Sequence, residues 1–165
     1  EGIRARNVED LVICSDTRGS LVAIAEPETF VSIRFSQQYA AAVALMTGRA
    51  TIHEYTEEFA ARPEVKDLLK KITIRVDPAL DRDFPESNYS RRILATLKDG
   101  SQRNAYIQDI KGSAANPMTW AEVEAKCRGL LSTLYDEERR ETIIRLILSL
   151  EELADVAELI QLLGR

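Results

Sequence analysis

Two cysteines and one histidine are all that this 165-residue chain offers a soft metal. An iron–sulfur cluster normally takes three or four thiolates, so Cys14 and Cys127 cannot hold one by themselves. The single histidine, His53, argues against zinc in the same way. No cofactor and no metal is expected. Long apolar runs are also missing: the longest, Tyr39 to Met46, is far short of the roughly 20 residues that span a bilayer. No signal peptide is visible. Nor is there an excess of positive charge. Lysine and arginine number 22 against 27 aspartates and glutamates, a net charge of −5 that argues against a nucleic-acid partner. Anionic metabolites stay open, because a local cation can act within an acidic whole. The chain begins with Glu1 rather than methionine, which reads as a processed product, a trimmed chain or a fragment.

What remains is ordinary for a globular protein. Hydrophobic residues make up 45% and charged residues 30%, and the length suits one good core or two small ones. Cys14 lies in the apolar run Leu11–Cys14 and Cys127 on an apolar helical face. Both read as core thiols in a reduced, cytoplasmic setting.

The pattern along the chain predicts an α+β fold: a small antiparallel sheet of about four strands with helices on one face, then C-terminal helices. Val8 to Cys14 reads as the first strand. Helices are predicted over 37–47, 51–61 and from Pro63 through Ile72, followed by a strand over 73–76. The segment 77–90, with two prolines, reads as loop. Residues 92–108 read as a hairpin, with Asp99-Gly100 suited to the positive φ angles of a type I′ turn. After Pro117 everything reads as helix. Thr119 and Glu122 form one capping box, and Ser149 and Glu152 another. Ile143, Ile144 and Ile147 are expected to face inward. The division predicted is 1–117 for an α+β part and 118–165 for a helical segment.

The segment Arg34 to Gly48 carries the densest chemistry. Ser36 is a good N-cap, the alanines favour helix, and Gly48 suits a helix end. Arg34, Ser36, Gln37 and Tyr39 crowd its start. A helix N-terminus favours carboxylates, so a guanidinium and a phenol beside it make an anion site with a proton donor. The same spacing also fits a buried stripe of Tyr39, Val43 and Met46 with Arg34 in solvent. The pairs Lys70-Lys71 and Arg91-Arg92 read as solvated charges.

Arg34-Phe35-Ser36-Gln37-Gln38-Tyr39-Ala40 resembles the (S/A)-K-F-S-x-x-Y-x-x-A segment of the 2-methylcitrate dehydratase (MmgE/PrpD) family. The likeness continues through Glu64-Val65 and Ile72-Thr73-Ile74, the turn Lys98-Asp99-Gly100, the loop Gly112 to Thr119 and the helix from Glu122 to Cys127. The resemblance implies the C-terminal part of a longer enzyme: a lid-like domain, and terminal helices that pack on an N-terminal helical domain. Without that domain the helices are expected to cover their apolar faces by oligomerising, and a homodimer is expected. The implied chemistry is iron–sulfur-independent removal of water from a tricarboxylate in propionate breakdown. Related activities are cis-aconitate decarboxylation and iminodisuccinate epimerisation; a non-catalytic assembly module is the alternative of another class.

On that resemblance Tyr39 is the catalytic candidate. Arg34, which stands where the family has lysine, is a substrate-binding candidate with Ser36 and Gln37. Gln37-Gln38 and Arg128 depart from the usual pattern, and the family's lysine–histidine segment has no match here. The chain alone is therefore expected to be inactive.

Overall fold

The computed structural model describes residues 3–21, 23–83 and 90–164. The chain divides into two compact units, Glu1–Asn116 and Pro117–Arg165. The first opens with strand β1, Val8–Ser15, whose Leu11 and Ile13 point to one face. Three further strands, β2 (Ile72–Val76), β3 (Arg91–Leu97) and β4 (Gln102–Ile107), complete a sheet in the order β2-β1-β3-β4. Register places Leu11 beside Ile72 and Ala95, and Ile13 beside Ile74 and Ile93. These residues form one apolar row, as the two-residue period of strands requires.

That row meets the helices. Five lie between β1 and β2: α1 (Thr17–Ser20), α2 (Phe30–Phe35), α3 (Gln37–Thr47), α4 (Glu57–Ala60) and α5 (Pro63–Leu69). Ile33, Tyr39, Val43, Phe59, Val65 and Leu68 from them share one buried cluster with Leu11, Ile13 and Ile72. The α+β class stands, but the sheet is mixed rather than antiparallel, because β2 runs parallel to β1. Parallel neighbours need a long crossover, and the helices between them supply it.

Local signals set most boundaries. Ser36 caps α3, accepting from the Tyr39 amide at 3.0 Å, and Gly48 ends it in the left-handed conformation at φ 76°. Pro63 is the first residue of α5, but the helix stops at Leu69, so Ile72 opens a strand instead of closing the helix. The single helix expected over 51–61 is absent. Residues 51–54 form one turn closed by the Glu54 carboxylate on the Thr51 amide and hydroxyl, and Thr56 then caps the separate α4. The β3–β4 turn also differs. Only Gly100 has a positive φ (81°), and Asp99 instead accepts from the Ser101 amide, so the turn is not type I′. The expected loop over 77–90 contains one short 3-10 turn, Leu80–Asp83, and its middle lies outside the described residues.

The second unit comprises α6 (Trp120–Leu131), α7 (Glu137–Leu148) and α8 (Ala157–Leu163). The Thr119–Glu122 capping box forms in both directions. Thr119→Ala is expected to cost about 1 kcal/mol and to lower the thermal midpoint of this unit, as circular dichroism would show. The box expected at Ser149 does not form: its side chain makes no cap, and Leu150–Glu152 is a 3-10 turn. Ile143, Leu146 and Leu159 make the small core; Ile147, expected inside, is exposed. Arg128 reaches Glu124 and Glu141, joining α6 to α7. Arg139 caps α8 by donating to the carbonyls of Leu162 and Gly164.

Candidate functional site at the carboxyl end of β1

β1 ends in buried Ser15, and buried Asp16 follows it directly. Asp16 caps α1, with Oδ1 accepting from the Gly19 amide at 2.9 Å. Arg91, the first residue of β3, comes from the other side. Its Nη1 lies 3.3 Å from Asp16 Oδ1 and donates to the Ser90 carbonyl at 2.7 Å. Its Nε donates to Gln37 Oε1 at 3.0 Å, and Gln37 Nε2 donates to the Gly19 carbonyl at 2.8 Å. Arg18 reaches Asp16 Oδ2 at 3.4 Å from the solvent side. One aspartate therefore serves two guanidiniums. Beside it, Asp81 accepts from the Thr17 amide and hydroxyl, which hold its carboxyl below the usual range.

The four residues predicted from the Arg34–Tyr39 segment do not converge. Gln37 alone joins this cluster. Ser36 is buried as a cap, donating to the Ile24 carbonyl at 2.6 Å while accepting from the Tyr39 amide. Arg34 is exposed; its guanidinium lies 3.2 Å over the Phe30 ring and donates to the Phe30 carbonyl. Tyr39 is 0% exposed and its hydroxyl donates to the Glu54 carbonyl at 2.5 Å. Burial, together with the nearby Tyr55 and Glu54, pushes its phenol up to about 12. A proton held that tightly suits a structural hydrogen bond better than acid–base exchange near neutral pH. The buried stripe, with Arg34 in solvent, is the arrangement found.

A cavity of about 410 Å³ lies elsewhere in this unit, among residues 25–28, α5 and β2. None of the four lines it, and its lining carries Glu26 and Glu28 as well as Lys66 and Lys70. His53 is exposed, and no group of three or more metal-ligating side chains occurs among the described residues. No helix among them is long and apolar enough to cross a membrane.

Asp16 and Arg91 escaped the sequence reading. The Asp16-Thr17-Arg18-Gly19 string signals a cap, but nothing near Arg91 announces its partner 75 positions away. Arg91 was expected in solvent beside Arg92. Only Arg92 is exposed, pairing with Asp77 at 3.3 Å.

Residues 2–152 match the family model described as the MmgE/PrpD C-terminal domain. The chain belongs to the MmgE/PrpD family. Among curated members it is 28% identical to the cis-aconitate decarboxylase of Mus musculus over 137 residues, 83% of this chain and 28% of that protein. With the Homo sapiens cis-aconitate decarboxylase the identity is 30%, over 79% of this chain and 27% of that enzyme. The 2-methylcitrate dehydratase of Cupriavidus necator is 37% identical over 67 residues, 39% of this chain and 14% of that protein. The chain thus spans under a third of the length of these relatives. The loop Gly112–Asn116 that prompted part of the resemblance is a closed turn: Gly112 has φ 95° and donates to the Asn116 carbonyl, while Asn116 reaches back to the Asp109 carbonyl.

Proposed function

We propose that this chain is the C-terminal part of a polycarboxylate lyase. The observation that carries the reading is the family match over residues 2–152. Residues 1–117 serve as the lid, and 118–165 return to a helical domain that lies outside this chain. Exposed apolar side chains on the second unit support that return: Trp120 is 74% exposed and Ile160 59%, and Leu134, Leu148 and Val156 are also open. Faces of this kind normally meet a partner surface. The intact enzyme is cytoplasmic and homo-oligomeric on this reading, and its acid–base groups lie mainly in the helical domain.

Two reactions compete. Decarboxylation of cis-aconitate is favoured by relatives that align over about four-fifths of the chain. Dehydration of 2-methylcitrate, the step in propionate breakdown, is favoured by the higher identity over the shorter stretch. The full-length polypeptide carrying these residues should be assayed with both acids. Turnover of either supports the lyase reading, and the faster one names the reaction. Absence of turnover with both overturns it. Residues 1–165 alone are expected to show no activity in the same assay; turnover by them would overturn the division of labour described above.

A further inference from the structure

We propose that Arg91 is a carboxylate-binding residue of this lyase, held in place by Asp16, Gln37 and Ser90 so that its Nη2 edge faces substrate. The inference rests on the lyase reading and adds a residue that the resemblance did not supply.

The hydrogen bonds of the guanidinium are one-sided. Nε and Nη1 are engaged by Gln37, Asp16 and Ser90, whereas Nη2 makes no hydrogen bond among the described residues. An arginine meant only to neutralise Asp16 would favour the two-point, parallel contact with both carboxylate oxygens. Here it touches one oxygen at 3.3 Å, and Arg18 takes the other. Asp16 is thus shared between two guanidiniums, and the neighbouring Asp81 carboxylate, held by Thr17, feels the charge of Arg18. The side chain of Arg91 is 19% exposed, so packing fixes its position without sealing the side chain off from solvent. Preorganisation of this kind makes a guanidinium effective toward a carboxylate, because little side-chain entropy remains to be lost.

Gly19 keeps the space beside that edge. A Cβ built there would come 2.5 Å from Arg91 Nη2, 2.4 Å from Ser15 Oγ and 2.5 Å from Asp16 Oδ1. Its φ is not positive, so backbone freedom is not the reason for glycine at this position. Any larger residue would push the guanidinium aside.

The test is calorimetric titration of the full-length protein with citrate, a tricarboxylate probe, alongside thermal denaturation and steady-state kinetics. Arg91→Lys keeps a charge beside Asp16 and loses the planar fork. It is expected to leave the thermal midpoint nearly unchanged, to weaken citrate binding about tenfold, and to raise KM by a similar factor with little change in kcat. Arg91→Gln should weaken binding further, and Gly19→Ala should weaken it without removing any charge. A folded Arg91→Lys protein that binds citrate like the wild type would overturn the proposal and leave Arg91 a structural pin. So would loss of the fold in all three variants, or a wild type that binds no citrate. Citrate binding that depends on Arg91, in a protein that turns over neither acid, would uphold the site and refute the lyase reading instead.

Discussion

Replacing Tyr39 with alanine is expected to unfold the first unit, at a cost of about 4 kcal/mol, the range for removing a buried aromatic ring. Tyr39 has no exposed surface, packs edge-on against Tyr55 at 5.4 Å between ring centres, and lies in the same cluster as Ile33, Val43 and Val65. Urea denaturation of the chain, followed by far-ultraviolet circular dichroism, measures the loss. Tyr39→Phe keeps the ring and removes only the hydrogen bond to the Glu54 carbonyl, so it is expected to cost about 1 kcal/mol. In the full-length enzyme the phenylalanine variant should retain its turnover. A large fall in kcat with the fold intact would return Tyr39 to the catalytic role that the F-S-x-x-Y resemblance implies.

The same phenol sets an alkaline limit. Its folded value of about 12 lies above the ordinary 10, so the neutral form is the one that folding favours. That contribution is fully present below pH 10 and is lost as the pH rises from 10 through about 12. Stability of the wild type should therefore fall across that window, and Tyr39→Phe should flatten the fall. Tyr55, also raised by burial, contributes in the same direction.

Glu54→Ala is the second large loss, expected at about 2 kcal/mol, because it removes a buried carboxylate whose three charge-assisted hydrogen bonds close the 51–54 turn, although the donors themselves, on the exposed Arg49 and Thr51, regain water. The carboxylate is almost fully buried and accepts from Arg49 Nε at 2.7 Å, the Thr51 amide at 2.8 Å and the Thr51 hydroxyl at 2.7 Å. Burial alone would raise its pKa, but these hydrogen bonds and the Arg49 charge outweigh that and hold it below the ordinary 4.5. A depressed carboxyl stabilises above the unfolded pKa and stops doing so as the pH falls through the folded one. Acid titration of stability should thus show a step below pH 4.5 that Glu54→Gln removes. Because the Glu54 backbone also accepts from Tyr39, the two sites share one turn of chain. The double variant Tyr39→Phe/Glu54→Gln is expected to lose less than the sum of the singles. Additive losses would show that the turn at 51–54 stays ordered without its carboxylate.

Much of this architecture is local in origin and could be read from the chain. Ser36, Gly48, Pro63, Thr119 and Asp136 each mark an element boundary where they stand, since a cap or a fixed φ acts within about one turn. Val8 to Cys14, with its apolar run Leu11–Cys14, was legible as β1, and Asp99-Gly100 located the hairpin without revealing its turn type. Where local signals competed, the reading failed. Thr51 and Glu54 resemble the opening of a helix, yet the turn closes on itself and Thr56 starts afresh. Ile143 and Ile144 are buried as expected, but the third buried position of α7 is Leu146 rather than the adjacent Ile147.

The sequence by itself determined the α+β class, the starts of α3, α5, α6 and α7, and the family to which the chain belongs. Those rest on patterns spanning a few residues, or on motifs kept in order along the chain. Only the tertiary structure decided that β2 runs parallel to β1, that Tyr39 is buried while Arg34 is exposed, and that Gln37 meets Arg91 and Asp16. Arg91 lies 54 positions from Gln37 and 75 from Asp16. No local propensity links them; they meet because strand pairing places the start of β3 beside the end of β1, and packing of the helices on the sheet brings α3 to the same edge.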